Sequence, residues 1–263
     1  MQLQLLNEMK KLKIVQLIGL LVLLFTSCSQ EKNGEVKLVN KIVETTADDK
    51  TVTTVFKYQG DKLVNTNSEL VRNDFTYVDS LISQIKTTDK KNNKVTVYNY
   101  TYQNGKLARV ESSDKKVVRY QYNTDGTINY EGFELQDQKE KPLYIGVFTV
   151  KSANIITNKK TFVVDQKGGK STELITLNYD QFKNPWNQIA GVSKLLDHFA
   201  LISANNGIMT VVENSTIFAD DSVTSSANMY SCTMKYDDDN YLIEQIFEDA
   251  PDDREYLKVT YFY

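Results

Sequence analysis

The chain has one histidine, one tryptophan, two cysteines and three prolines in 263 residues, and each shortage removes a class of chemistry. A Ser-His-Asp or Cys-His site would have to use His198, and no Gly-x-Ser-x-Gly elbow accompanies it. Zinc would find only His198 and one internal thiol as soft ligands. Two cysteines cannot make a disulfide framework. The net charge of −3 leaves no basic stripe for a phosphate backbone, so no nucleic-acid partner is expected. Phosphate loops and dinucleotide fingerprints are absent: Gly168 and Gly169 read as a hairpin turn, and although Lys170 and Ser171 follow, Val164 stands where a phosphate loop needs its first glycine and a strand, not a helix, comes next; no cofactor is expected. No run of Pro, Gly or Ser is long enough to serve as a linker between separate domains.

What is abundant is aromatic: 16 Tyr and 11 Phe. Tyrosine suits half-buried strands, where the ring packs and the hydroxyl stays wet, so β structure leads. Val52, Thr54 and Phe56 alternate with polar residues up to Tyr58, and Gln59, Gly60 and Asp61 then turn the chain into Leu63 and Val64. Tyr98, Tyr100 and Tyr102 lead through Asn104 and Gly105 to Leu107 and Val110, and Tyr120 and Tyr122 lead through Gly126 to Ile128 and Tyr130. A fourth copy runs from Met234 and Tyr236 to Leu242, with Asn240 where glycine stood. A period of two bounded by Gly, Asn and Asp signals hairpins, and its recurrence is a degenerate internal repeat. Tyr144, Gly146, Phe148 and Val150 share one face of a longer strand. One segment departs from this: Asn184 and Pro185 form a cap and first-turn pair, and Trp186, Ile189, Val192, Leu196 and Phe199 recur every three to four residues. That spacing predicts a helix near residues 185–202 of roughly four turns, placing His198 on its surface. The fold expected is an all-β, curved antiparallel meander of stacked β-hairpins, an open sheet or partial barrel, with that one helix plugging an opening.

The amino end gives an address. Lys10, Lys11 and Lys13 precede an apolar run from Ile14 to Phe25 that is short for a membrane span and ends in small residues. Leu24, Phe25, Thr26, Ser27 and Cys28 resemble the lipobox of bacterial lipoproteins, with Phe25 where leucine is usual. The resemblance implies that residues 1–27 are a signal peptide, that Cys28 is the lipidation site, and that residues 28–35 are a flexible tether to a single all-β domain at 36–263. The partner implied is a membrane, reached through the lipid and not through a charged face, because the globule is acidic. With Cys28 acylated, Cys232 is left alone in an alternating stretch and reads as a small buried residue.

The turn repeat is similar to the Tyr-Asp repeats of Rhs-type proteins. The chain as a whole resembles Bacteroidota lipoproteins that carry the uncharacterised domain of unknown function 4595, described as a porin-like β fold. The lipobox, the Tyr-x-Tyr turns at Gly60, Gly105 and Gly126, and Asn178, Tyr179 and Asp180 leading to Asn184, Pro185 and Trp186 carry that second resemblance. It implies a cell-envelope location, in the outer membrane and facing the periplasm or the surface, and lends no activity.

Acidic pairs offer the remaining chemistry: Asp48 with Asp49, Asp220 with Asp221, Asp237 to Asp239, and Asp249 with Asp252 and Asp253. Carboxylates can ligate calcium or act as glycosidase acid and base, but these fall where hairpin turns belong and read as solvated loop charges. Trp186 is the one candidate ligand-binding residue, by stacking on a sugar ring; as the first anchor of the helix it would pack in the core instead. The expectation is a non-enzymatic, lipid-anchored envelope protein whose sheet binds or scaffolds a protein or glycan partner. The other readings are a surface glycan-binding lipoprotein and a carboxylate-dependent hydrolase.

Overall fold

A computed structural model describes residues 37–162, 169–248 and 256–263. The leader, Cys28 and the tether lie outside the described residues, as do Gly168, Asp249, Asp252 and Asp253. The strands, in chain order, are β1 Lys41–Thr46, β2 Thr51–Gln59, β3 Lys62–Asn67, β4 Val71–Val78, β5 Leu81–Asp89, β6 Lys94–Gln103, β7 Lys106–Ser112 and β8 Lys116–Tyr122. They continue with β9 Thr127–Gln136, β10 Lys139–Lys151, β11 Asn154–Phe162, β12 Lys170–Lys183, β13 Asn205–Ile217, β14 Val223–Tyr236, β15 Leu242–Phe247 and β16 Tyr256–Phe262. The antiparallel meander is as expected, but it is neither open nor partial: β1 pairs with β16 and closes a barrel of 16 strands. Ile42 lies opposite Tyr261 and Glu44 opposite Val259. Closure pairs the two rows of backbone N–H and C=O groups that an open meander would leave bare at its edges.

Alternation along each strand sorts side chains to two sides. The core lies inside, with Phe56, Ile85, Tyr130, Phe148, Leu177 and Val259 all buried. The next residue along carries exposed charge outward in six cases: Lys57 beside Phe56, Lys86 beside Ile85, Arg119 beside Tyr120, Glu131 beside Tyr130, Lys159 beside Asn158 and Glu213 beside Val212. Ion pairs link the strands. Glu140 at the start of β10 reaches past β9 to Arg119 of β8 at 2.7 Å and Arg109 of β7 at 3.0 Å, and Glu244 of β15 sits between Lys235 and Lys258 of its two neighbours at 2.6 Å each.

The repeat has a physical meaning at one end of the barrel. Gly60, Gly105 and Gly126 take φ of 63°, 71° and 86°, and Asn240 follows at 64°, so the exchange of Gly for Asn preserves the turn. The aliphatic after each turn points inward and is buried, with Leu63, Ile82, Leu107, Ile155 and Leu242 between 0% and 3% exposed. The tyrosines before the turns also point in, and their hydroxyls are not left to water. Tyr58, Tyr102, Tyr179 and Tyr263 donate to the backbone carbonyls of Val39, Ile82, Ile155 and Leu242 at 2.6–2.9 Å. Each phenol thereby ties its strand to the chain next to it.

The expected helix near residues 185–202 is not formed. The link from β12 to β13 is three 3-10 turns, Pro185–Gln188, Val192–Lys194 and Leu196–His198, followed by a single α-helical turn, α1, Phe199–Ile202. Asn184 does cap the first turn, its side chain accepting from the Trp186 N–H at 3.0 Å. The path breaks at Gly191, which is left-handed at φ 75°, and a Cβ there would meet the Ser80 carbonyl at 2.8 Å. The segment folds inward and seals the end where the repeat turns lie. Ala190 N–H donates to the Asp61 carbonyl, Tyr77 hydroxyl to the Ala190 carbonyl, and Ala204 N–H to the Ala153 carbonyl. Ile189, Val192, Leu195, Leu196 and Ile202 are buried, while Lys194 and His198 stay exposed.

Candidate functional site in the barrel interior

Two features of the interior combine polar groups with space. The first lies where Asp197 enters the barrel from the plug. Its Oδ2 accepts from the Tyr100 hydroxyl at 2.9 Å and lies 3.7 Å from His198 Nε2, while its Oδ1 is buried with no hydrogen-bond partner. Burial holds the Asp197 carboxyl above the usual aspartate range, against the opposing effects of His198 and Tyr100. Burial first, and the nearby Asp197 charge second, raise the phenols of Tyr100, Tyr102, Tyr120 and Tyr144. His198 is half-exposed and lies in a 3-10 turn, not on a helix surface.

The second feature is a cavity of about 250 Å³ between the two ends of the plug and strands β1 and β12 to β16. Trp186 and Leu201 face it from the plug; Ile42, Leu177, Met234 and Phe247 face it from the wall. Trp186 packs on Phe56 with ring centroids 5.4 Å apart. It thus lies inside the barrel, partly buried, with an edge on the cavity, and not on an outer sheet face. A short polar chain crosses the floor: Tyr261 hydroxyl donates to Gln245 Oε1 at 3.1 Å, and Gln245 Nε2 reaches Cys232 Sγ at 3.2 Å. The Cys232 thiol contacts the Gly207 carbonyl at 3.4 Å, and burial pushes its pKa up, which removes thiolate character. Cys232 is therefore a wall residue of the cavity. Sequence reasoning placed it correctly as a small inward residue and gave no sign of the space beside it.

The other residues singled out in the sequence are structural. Asp180 is bonded by the Tyr236 hydroxyl, the Asn206 side chain and the Phe182 N–H, which pins the irregular end of β12 to β13. Asp237 accepts from the Tyr241 N–H and bridges Lys37 at 3.0 Å. Asp220 accepts from the Ser222 N–H in the turn before β14. No group of three or more His, Cys, Asp or Glu able to hold a metal ion occurs among the described residues.

The architecture has relatives among solved structures. A porin-like protein from Bacteroides vulgatus ATCC 8482 matches with a TM-score of 0.56 at 12% identity, covering 86% of this chain and 98% of that one. The fold is porin-like. A second porin-like protein, from Bacteroides uniformis ATCC 8492, aligns at 14% identity over 87% of this chain and 98% of that one, with a TM-score of 0.47. No family model matches the chain, and no curated protein is significantly similar to it. At such identities the likeness is one of fold. A porin-like barrel in lipid has an apolar outer band and a polar lumen; here Lys57, Lys86, Arg119 and Lys159 are exposed alongside Val55, Ile145 and Met229, and the interior holds a buried apolar core.

Proposed function

We propose that the chain is a lipid-anchored envelope protein, tethered through Cys28, whose barrel stands in water and works by binding or scaffolding without catalysis. The observation that carries this reading is the sidedness of the barrel. Charged residues such as Lys57, Lys86, Arg119 and Lys159 interrupt the outer face within the strands, while the apolar core is inside. Each Lys or Arg held at the bilayer midplane costs roughly 2–4 kcal/mol, so this outer face does not insert. The protein then needs another attachment, and the lipobox ending at Cys28 supplies one. The resemblance to lipoproteins with domain of unknown function 4595 belongs to the same reading.

A glycan-binding outer face has less support. Phe133 and Phe262 on the outside are covered by Arg119 at 5.2 Å and Lys41 at 3.8 Å, and Trp186 faces inward. The test is Cys28→Ser with cell fractionation and metabolic labelling by a palmitate analogue. Loss of both the label and membrane retention is expected. A substituted protein that stays labelled and membrane-bound would refute the anchor, and ion conductance by the purified protein in a planar bilayer would refute the water-standing barrel.

A further inference from the structure

We infer that the cavity beside Trp186 is a binding site for a small, uncharged, largely apolar molecule, a ring system or short acyl body of roughly ten non-hydrogen atoms. The inference rests on the reading that the protein works by binding, and is independent of the lipid tether, which the fractionation experiment reads separately.

Size sets the first limit. A cavity of about 150 Å³ accepts benzene, and a water occupies about 30 Å³ of liquid. The 250 Å³ found here suits two fused or linked rings, or a chain of about eight or nine carbons, and is too small for a full phospholipid or an oligosaccharide.

The lining sets the second. Apolar side chains dominate, and Leu201, although inside the barrel, keeps 39% of its surface uncovered. An apolar occupant would gain about 25 cal/mol for each Å² of such surface removed from water. Water alone leaves that gain unused.

Charge sets the third. Glu44 is the only charged residue of the lining, and no Lys, Arg or His is among the residues that face the cavity. An anionic headgroup would lose its hydration without a counter-charge and would face a carboxylate. Gln245 offers orientation without charge: one of its amide hydrogens is directed at Cys232 Sγ, a weak acceptor, so a carbonyl or hydroxyl of the ligand can improve on it.

The wall also supplies the means of test. Thr210 points inward between Leu177 and Tyr230, is partly exposed to the cavity, and sits within a strand where an aromatic residue is well tolerated. The full chain carrying Cys28→Ser, in which Cys232 is the one thiol, is titrated with 1-aminonaphthalene and with its anionic relative 5-aminonaphthalene-1-sulfonate. Saturable binding of the neutral dye is expected, with energy transfer from Trp186, and at least tenfold weaker binding of the sulfonate. Thr210→Phe should weaken the neutral dye at least tenfold while leaving the unfolding midpoint in place, and Thr210→Ser should bind as the parent does. The neutral dye should also slow alkylation of Cys232 by N-ethylmaleimide.

Absence of saturable binding, equal binding of the sulfonate, or full binding by folded Thr210→Phe would each overturn the inference. If Thr210→Phe does not fold, the alkylation of Cys232 in the parent decides. A rate indifferent to saturating dye places the dye elsewhere and the proposal fails.

Discussion

Gly132 and Gly146 are glycines for a reason unrelated to turns. A Cβ on Gly146 would lie 2.1 Å from Cζ of Tyr130, and one on Gly132 would lie 2.0 Å from Cζ of Tyr144. Each ring covers the bare backbone of the strand beside it, so the two phenols fit flat against the wall. Gly146→Ala should cost about 1–3 kcal/mol through displacement of Tyr130 from a tight core. Gly126 differs, at φ 86° with nothing within 4 Å of a Cβ. There Gly126→Val should cost upward of about 1 kcal/mol through backbone conformation alone. Urea midpoints measure both, and unchanged midpoints would contradict the ring-on-glycine packing in the first case and the turn motif in the second. Asp197 gives a pH-dependent expectation. Its folded pKa is raised by burial, so the folded state holds a proton that the unfolded chain releases first, and stability falls as pH rises from the ordinary aspartate range through the raised value. Asp197→Asn can still accept from Tyr100 and carries no such penalty. Its stability relative to the parent should therefore rise between acid and neutral pH, and a constant difference across that range would refute the burial argument.

Among the elements, legibility followed the turn residue. Hairpins with Gly or Asn at the turn, β2 with β3, β6 with β7, β8 with β9 and β14 with β15, stood out because those residues mark positive φ. The hairpin of β4 and β5 turns on Asp79 at φ 53°, and that of β10 and β11 on Ser152 and Ala153 at 51° and 60°. Such residues adopt that conformation only when the strands impose it, so they carry no local signal. The plug failed as a predicted helix for a related reason. Trp186, Ile189, Val192, Leu196 and Phe199 have helical spacing, but Leu195 is buried beside Leu196, so the buried set does not keep to the single stripe that a helix would present. Gly191 decides the path. Gly191→Ala should be more damaging than the same change at Gly126, because the left-handed strain is joined by contact with the Ser80 carbonyl and the Ile82 N–H at 2.8 and 3.0 Å. Equal losses at the two positions would mean that the plug is free to shift. Trp186→Ala should cost less than the roughly 3–5 kcal/mol of a fully enclosed ring, since one edge already borders the cavity. Its fluorescence, from the only tryptophan in the chain, should be blue-shifted and slow to quench.

At the scale of the molecule, burial acts on many phenols at once. Burial raises the phenols of Tyr58, Tyr100, Tyr102 and Tyr130, and pushes Tyr77 up to about 12. Raised phenol pKa values leave stability intact below about pH 10 and remove it above, because the unfolded chain ionises there and the folded chain does not. Absorbance at 295 nm should thus show these phenols appearing in one cooperative step that coincides with loss of β circular dichroism. A gradual titration centred near 10 would contradict an interior held by tyrosines. What no stretch of sequence displayed was closure and sidedness together. Alternation at Phe56 and Lys57 announces a wet face and a dry face, but whether the dry face covers a second layer or curls upon itself depends on a pairing between residues about 220 positions apart, Ile42 with Tyr261. The cavity is likewise invisible in the sequence, since it is space left by residues from β1, the plug and the last strands.

That seam between the first and last strands also dictates an order of events. A chain that emerges amino end first presents β1 with one bare edge, and that edge has no native partner until Tyr256–Phe262 has followed. For that whole interval, the growing sheet exposes backbone able to pair with another copy. Removing β16 should make this condition permanent and yield aggregates. Conversely, joining Tyr263 to Lys37 through a short linker and opening the chain at the Asn92 and Asn93 turn should leave a soluble barrel, because Asn40 N–H already donates to the Phe262 carbonyl at 2.8 Å and the two ends of the barrel's chain are neighbours. Such a permutant would begin at β6 and end at β5, so that β16 and β1 emerge in immediate succession and the long wait for a partner passes to the edge of β6.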